Sequence, residues 1–121
     1  MNIRDATPAE LEEELARLHH EAAELGVKYA ELKGQFDSVH DRNDDFLAAL
    51  AEKMDGKSNV EKTRRARLTS AWKGFVDDYH NLCSKLLRVK IEYETKKRAW
   101  ETIRSILSSR NAERKFSSYG T

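Results

Sequence analysis

Residues 68–107 read LTSAWKGFVDDYHNLCSKLLRVKIEYETKKRAWETIRSIL and decide the fold of this chain. Large apolar residues recur in this stretch at alternating spacings of four and three, which is the repeat of a helix stripe that packs on another helix. Its members are Leu68, Trp72, Phe75, Tyr79, Leu82, Leu86, Val89, Tyr93, Trp100, Ile103 and Leu107, with Lys96 also in phase. From Trp72 onward, the apolar members are predicted to form the core and the oligomerisation surface.

A second stripe with the same spacing lies upstream. Its members are Leu11, Leu15, Leu18, Ala22, Leu25, Tyr29, Leu32, Phe36, Val39, Asn43, Phe46 and Leu50. Two long helices with facing stripes are the simplest structure that buries both. Such a scaffold rarely encloses a reaction pocket, and the chain has no phosphate loop, nucleophile elbow or zinc-protease motif. We therefore expect a protein that is not an enzyme.

Capping and turn signals predict where the two helices begin and end. Thr7, Pro8 and Glu10 form a capping box with proline at the first helical position, so helix one is expected at about 8–54. The sequence from Asp55 to Ser58 is the strongest turn signal, and Glu61 completes a second capping box with Ser58. Helix two is expected at about 59–110. The sequence leaves open whether helix one is continuous through residues 41–45.

These boundaries predict one helical-hairpin domain over residues 7–110, with a disordered lead over 1–6 and a basic flexible tail over 111–121. Apolar residues beside both stripes make them wider than a two-stranded contact needs. These are Val27, Ala30, Leu47, Val76, Leu87, Ile91 and Ile106. The predicted fold class is all-α, a long antiparallel helical hairpin of coiled-coil type that oligomerises into a helical bundle of undetermined number.

Charge divides the chain into two halves, although the formal net charge is only +1. Residues 1–52 carry 13 acidic and 5 basic side chains, whereas residues 53–121 carry 8 acidic and 17 basic ones. Opposite signs favour pairing of the two helices, and uncovered basic charge attracts a polyanion. Solvation of two complementary faces is the alternative explanation.

The basic residues are densest around the predicted turn. They are Lys53, Lys57, Lys62, Arg64, Arg65, Arg67 and Lys73. Cations in such a run can neutralise successive phosphates, and Trp72 and Phe75 lie close enough in sequence to offer stacking faces to bases. These seven residues are predicted to bind nucleic acid. The competing interpretation is that they pair with Asp44, Asp45 and Glu52 across the hairpin.

Several other residues have two interpretations. Trp72 and Trp100 lie in phase with the stripe and are expected in the core, unless one ring remains at a surface. Lys96 and Asn43 either set the register of the helices as buried polar groups or face solvent. No metal or cofactor is expected, because His80 and Cys83 alone do not make a zinc site. The single cysteine and the absence of a membrane span or secretory leader predict a cytoplasmic protein.

The order of parts resembles the UvsY family of phage recombination mediators. The features that carry the resemblance are the segment AALAEKMD at residues 48–55, SNVEK at 58–62, and Trp100 with Ile103-Arg104-Ser105 in the final helix. The resemblance implies an oligomer that binds single-stranded DNA and loads a recombinase onto strands covered by a single-strand-binding protein, in the host cytoplasm. Lys53 and Lys57 match the family's basic positions, and Ala51 stands where another cation is expected.

Two functional hypotheses follow. The first is a non-enzymatic, oligomeric accessory protein that binds single-stranded DNA and acts as a phage recombination mediator. The alternative is a structural or adaptor coiled coil that binds an acidic protein partner, such as a phage inhibitor of a host enzyme. The sequence does not identify a protein partner.

Overall fold

The computed structural model describes the backbone of residues 2–119 and the side chains of residues 2–115. It contains three helices: α1 at Pro8–Glu52, α2 at Asn59–Arg67 and α3 at Ser70–Tyr119. No strand occurs among residues 2–119. The predicted all-α class is therefore confirmed.

The first helix begins at the predicted capping box. The Glu10 backbone N–H donates to Thr7 Oγ1 at 3.1 Å, and the Thr7 N–H donates to Glu10 Oε1 at 3.4 Å. The helix is continuous through residues 41–45, which the sequence had left open. It ends at Glu52, where the N–H groups of Lys53 and Met54 bond to carbonyls three residues back instead of four.

The expected single helix at 59–110 is wrong, because it is interrupted after Arg67. The Thr69 hydroxyl accepts from the Trp72 N–H at 3.2 Å and donates to the Ala66 carbonyl at 2.6 Å. Thr69 therefore caps the start of α3 while it closes the end of α2. Leu68 lies in this interruption and is 67% exposed, so its predicted place in the stripe is also wrong.

Both ends of the chain carry more structure than the sequence suggested. Helix α3 continues to Tyr119, past the expected end near residue 110, and residues 120–121 of the expected tail lie outside the described part. Ala6, assigned to the disordered lead, is buried. The Arg110 guanidinium donates to the Ala6 carbonyl at 2.6 Å and to the Ile3 carbonyl at 3.2 Å. These bonds attach the lead to α3.

The chain divides into two compact units, Met1–Lys28 with Val89–Thr121, and Tyr29–Arg88. The single domain over 7–110 stays a prediction. In the first unit the buried core consists of Ala6, Leu11, Leu18 and Ile103, with Trp100 packed against it. Across this unit Arg110 contacts Ala6, Trp100 lies near His19, Lys96 pairs with Glu21 and Tyr93 lies beside Gly26.

Aromatic contacts join α1 and α3 within the second unit. Phe36 and Tyr79 lie with ring centroids 5.2 Å apart, and Phe46 lies 4.8 Å from Phe75 and 6.3 Å from Trp72. These stripe residues are half-buried. Of the ten stripe residues predicted as core from Trp72 onward, only Val89 and Ile103 are buried.

Candidate nucleic-acid interface

The second unit contains all seven predicted nucleic-acid-binding residues. Lys53 and Lys57 lie in the connection between α1 and α2, four more residues lie on α2, and Lys73 lies in the first turn of α3. Six of the seven side chains are exposed, and Lys62 is half-buried. The seven residues therefore lie on one local segment that spans two helices and a connection, and their binding of nucleic acid stays a prediction.

The short helix α2 has an inner and an outer face. Ala66 is fully buried, and Asn59, Lys62 and Thr63 line a groove with Ala48, Ala51 and Glu52 of α1. Small residues at the end of α1 leave room for this packing. Because 3.6 residues make one turn, this packing directs Val60, Arg64 and Arg67 away from α1. The structure therefore groups Arg64 and Arg67 outward and separates Lys62 from them.

One carboxylate, Glu61, neutralises part of this segment. Its Oε2 accepts from the Lys57 backbone N–H at 3.1 Å, and its Oε1 lies 3.1 Å from Arg65 Nη2. The hydrogen bond from Lys57, followed by the charge of Arg65, lowers the pKa of Glu61. The Glu61 backbone N–H also donates to Ser58 Oγ at 3.2 Å. Ser58 is therefore the N-cap residue at the start of α2.

The alternative pairing with α1 does not occur in the described part of the chain. Neither Asp44, Asp45 nor Glu52 forms an ion pair with the basic segment, and Arg65 is its only member with an ionic partner. The other basic charges remain available to solvent and ligands. Three of the arginines lie in the last turn of α2, where positive charge also stabilises the helix dipole.

The two tryptophans differ in their surroundings. Trp72 stacks on Phe75 with ring centroids 5.5 Å apart and is half-buried beside the basic segment. Trp100 belongs to the first unit, where it packs on the core and carries the Arg104 guanidinium 5.3 Å above its ring. Trp72 is thus the tryptophan that lies beside the basic segment around α2.

Sequence reasoning missed two apolar side chains at this site. Val60 is 81% exposed and Leu68 is 67% exposed, next to the outward arginines of α2. A continuous helix two would have kept Leu68 in the stripe. The signal for the interruption was Thr69, a residue that caps helices well, placed three residues before Trp72.

The described residues contain no group of three or more His, Cys, Asp or Glu side chains that could hold a metal ion. None of the helices within residues 2–119 has the length and apolarity that crossing a bilayer requires. No family model, curated protein or solved structure matches this chain. The resemblance to recombination mediators therefore stays a prediction, and a functional proposal depends on the geometry and charge of the site.

Proposed function

We propose that this protein is a non-enzymatic accessory factor that binds single-stranded DNA through the outward side of α2 and its two flanking connections. The observation that carries the proposal is a group of five exposed cations without an ion pair in the described structure. They are Lys53, Lys57, Arg64, Arg67 and Lys73.

Unpaired surface cations bind phosphates by releasing the counterions that surround the nucleic acid. Affinity falls as salt rises, and each phosphate contact on a single strand adds about 0.7 to the magnitude of the slope of log affinity against log salt, so five contacts give a magnitude of about 3.5. Arginine adds planar donors that match a phosphate and can stack on bases. The site therefore has the charge for tight binding at low salt.

Preference for an unpaired strand is supported by the side chains beside the cations. Trp72 is half-buried and therefore retains accessible ring surface, and Val60 and Leu68 are exposed. Bases of a single strand can lie against aromatic and apolar groups, whereas bases in a duplex are already stacked on each other. The combination favours single-stranded nucleic acid over duplex.

We also propose how α1 and α3 are arranged and how copies of the chain associate. The opposite order of contacts along α1 and α3 in each unit supports an antiparallel hairpin, and the incompletely buried stripe supports a homo-oligomer. A recombinase and a single-strand-binding protein are the proposed functional partners, and the host cytoplasm is the proposed location.

The test is fluorescence anisotropy of a labelled single-stranded oligonucleotide and an equal-length duplex, each titrated with the full chain at several salt concentrations. The proposal expects tighter binding of the single strand and a salt slope near 3.5. Equal affinity for both forms would remove the single-strand preference. Absence of binding at low salt would overturn the proposed function.

A second candidate function is recognition of an acidic protein segment, because Val60 and Leu68 would be unusual on a surface that binds phosphates alone. Two apolar side chains flanked by Arg64 and Arg67 fit an acidic segment with apolar anchors. The double variant Val60→Ser/Leu68→Ser separates the two candidate functions. If the site recognises a protein, this variant should lose a protein that copurifies with the wild type from nuclease-treated extract. Its binding of the oligonucleotide should keep the same salt slope.

A further inference from the structure

Among the residues that the structure describes, one face of α3 in the second unit has no aromatic, hydrogen-bond or ion-pair contact with another helix. Val76, His80, Cys83 and Leu87 recur there at spacings of four, three and four, beside the stripe that faces α1. Val76 and Cys83 are half-buried, His80 is exposed, and Leu87 is 54% exposed. This lateral stripe has the spacing of a second helix contact.

We propose that the lateral stripe binds the same stripe of a second copy of this chain, with the two α3 helices antiparallel. The proposal rests on the homo-oligomer of the proposed function and is independent of nucleic-acid binding. A two-fold axis midway between His80 and Cys83 sets Val76 level with the partner's Leu87. It also sets His80 level with the partner's Cys83. Every position of the stripe then meets a position of the same stripe, as a closed dimer requires.

Charge complementarity identifies a second copy as the occupant. Asp77 and Arg88 flank opposite ends of the lateral stripe on its outer side, and both are exposed without an ion pair in the described part of the chain. In the antiparallel dimer Asp77 lies about two residues, or ~3 Å along the axis, from the level of the partner's Arg88. The long arginine side chain spans that offset. The dimer therefore contains two identical acid–base pairs.

The same charges argue against other arrangements. Parallel association would set the flank that carries Asp77 and Arg88 against the partner's other flank, so Asp77 and Arg88 would not pair with each other across the interface. A polyanion is a poor occupant of this face, because the stripe has no permanently charged member and Asp77 with Asp78 lies at one end. Self-association is the arrangement that satisfies both the apolar spacing and the charges.

The experiment measures the mass of the full chain across a concentration series by sedimentation equilibrium, without nucleic acid. The wild type should approach twice the 14.0 kDa of one chain. Asp77→Arg and Arg88→Asp should each weaken the dimer about tenfold, because each creates two like-charge contacts. The double exchange Asp77→Arg/Arg88→Asp should restore the dissociation constant to within about twofold of wild type.

Two further variants separate the interface from the fold. Leu87→Glu should give a monomer with unchanged helical circular dichroism, since this side chain is already half exposed. Lys85→Asp, exposed on the opposite flank of α3, should leave the dissociation constant unchanged. A monomeric wild type, a Leu87→Glu variant that still dimerises, or a double exchange that does not recover overturns the inference. A dimer that binds no oligonucleotide would overturn only the proposed DNA-binding function.

Discussion

Lys96 Nζ lies 2.7 Å from Glu21 Oε2, so the lysine in the α3 stripe is paired with a carboxylate of α1 inside the first unit. Glu21 Oε1 also lies 2.6 Å from Arg17 Nη1. The lysine hydrogen bond, followed by the arginine hydrogen bond, lowers the pKa of Glu21. Lys96 is therefore paired and half-buried within the first unit, and its role in setting the register of the helices stays a prediction.

Replacing Glu21 with Gln should lower the thermal midpoint at neutral pH, because Lys96 and Arg17 lose their shared carboxylate. Since the folded pKa of Glu21 is lowered, its contribution is present above the unfolded pKa and is lost as pH falls through the folded pKa. The difference in thermal midpoint between the variant and the wild type should therefore shrink as the pH falls below 4.5, the ordinary pKa of a glutamate. Thermal melts followed by circular dichroism across pH measure this difference. The control is Glu31→Gln, at an exposed position without an ion pair in the described part of the chain. A constant difference at all pH values would contradict the prediction.

Leu11→Ala should destabilise the chain by about 2–4 kcal/mol, because a fully buried side chain would be replaced by a cavity. Val27→Ala is the matched control: Val27 is 62% exposed, so its loss should cost less than about 0.5 kcal/mol. Urea unfolding of both variants gives the comparison. Similar losses for the two would show that the assigned core of the first unit is wrong.

Thr69→Ala should cost about 1 kcal/mol, because the Trp72 N–H loses its capping oxygen at the start of α3. The control is Thr95→Ala, whose hydroxyl bonds only to the Ile91 carbonyl within the helix at 2.8 Å. Alanine has a higher helix propensity than threonine, so that variant should be neutral or stabilising. Urea midpoints that fall equally in both variants would mean that Thr69 does not act as a cap.

Gly34→Ala should stabilise the chain by about 1 kcal/mol, the difference in helix propensity between the two residues. A Cβ atom added there meets no atom within 4 Å, so nothing opposes the gain. Gly26→Ala tests the same gain at a position with a neighbour, because the added Cβ would lie 3.5 Å from the Tyr93 ring, an ordinary van der Waals distance. Both urea midpoints should rise, and a decrease for Gly34→Ala would place an unrecognised neighbour against that face.

Combined Arg64→Ala and Arg67→Ala substitutions should weaken oligonucleotide binding and reduce the salt slope by about 1.4, corresponding to two phosphate contacts. The control is Lys28→Ala with Lys90→Ala, which removes the same charge from the first unit. Anisotropy titrations at several salt concentrations measure both effects. An equal reduction in the control would indicate attraction to general positive charge and not to the outer side of α2.

The opposed charges of the two halves and the apolar repeats were readable in the sequence because helical periodicity and capping are local properties. Thr7 and Ser58 identified two helix starts correctly, since a capping hydroxyl acts over only three residues. The interruption at Thr69 was missed because residues 61–73 contain neither glycine nor proline, the two residues that most often break a helix. The Thr69 hydroxyl bonds to the Ala66 carbonyl and caps the Trp72 N–H there, while Ala66 is fully buried.

The sequence by itself determined the helical class, the N-caps at Thr7 and Ser58 and the location of the basic segment, because each depends on neighbours within a few residues. Only the tertiary structure decided that Lys96 forms an ion pair with Glu21 and that Ala6 is buried, with its carbonyl bonded to Arg110. The tertiary structure also decided that Val60 and Leu68 are exposed. These outcomes depend on which helix faces are covered by residues distant in the chain. The apolar repeat in the sequence shows which face of a helix is apolar, but it does not show which residues pack against that face.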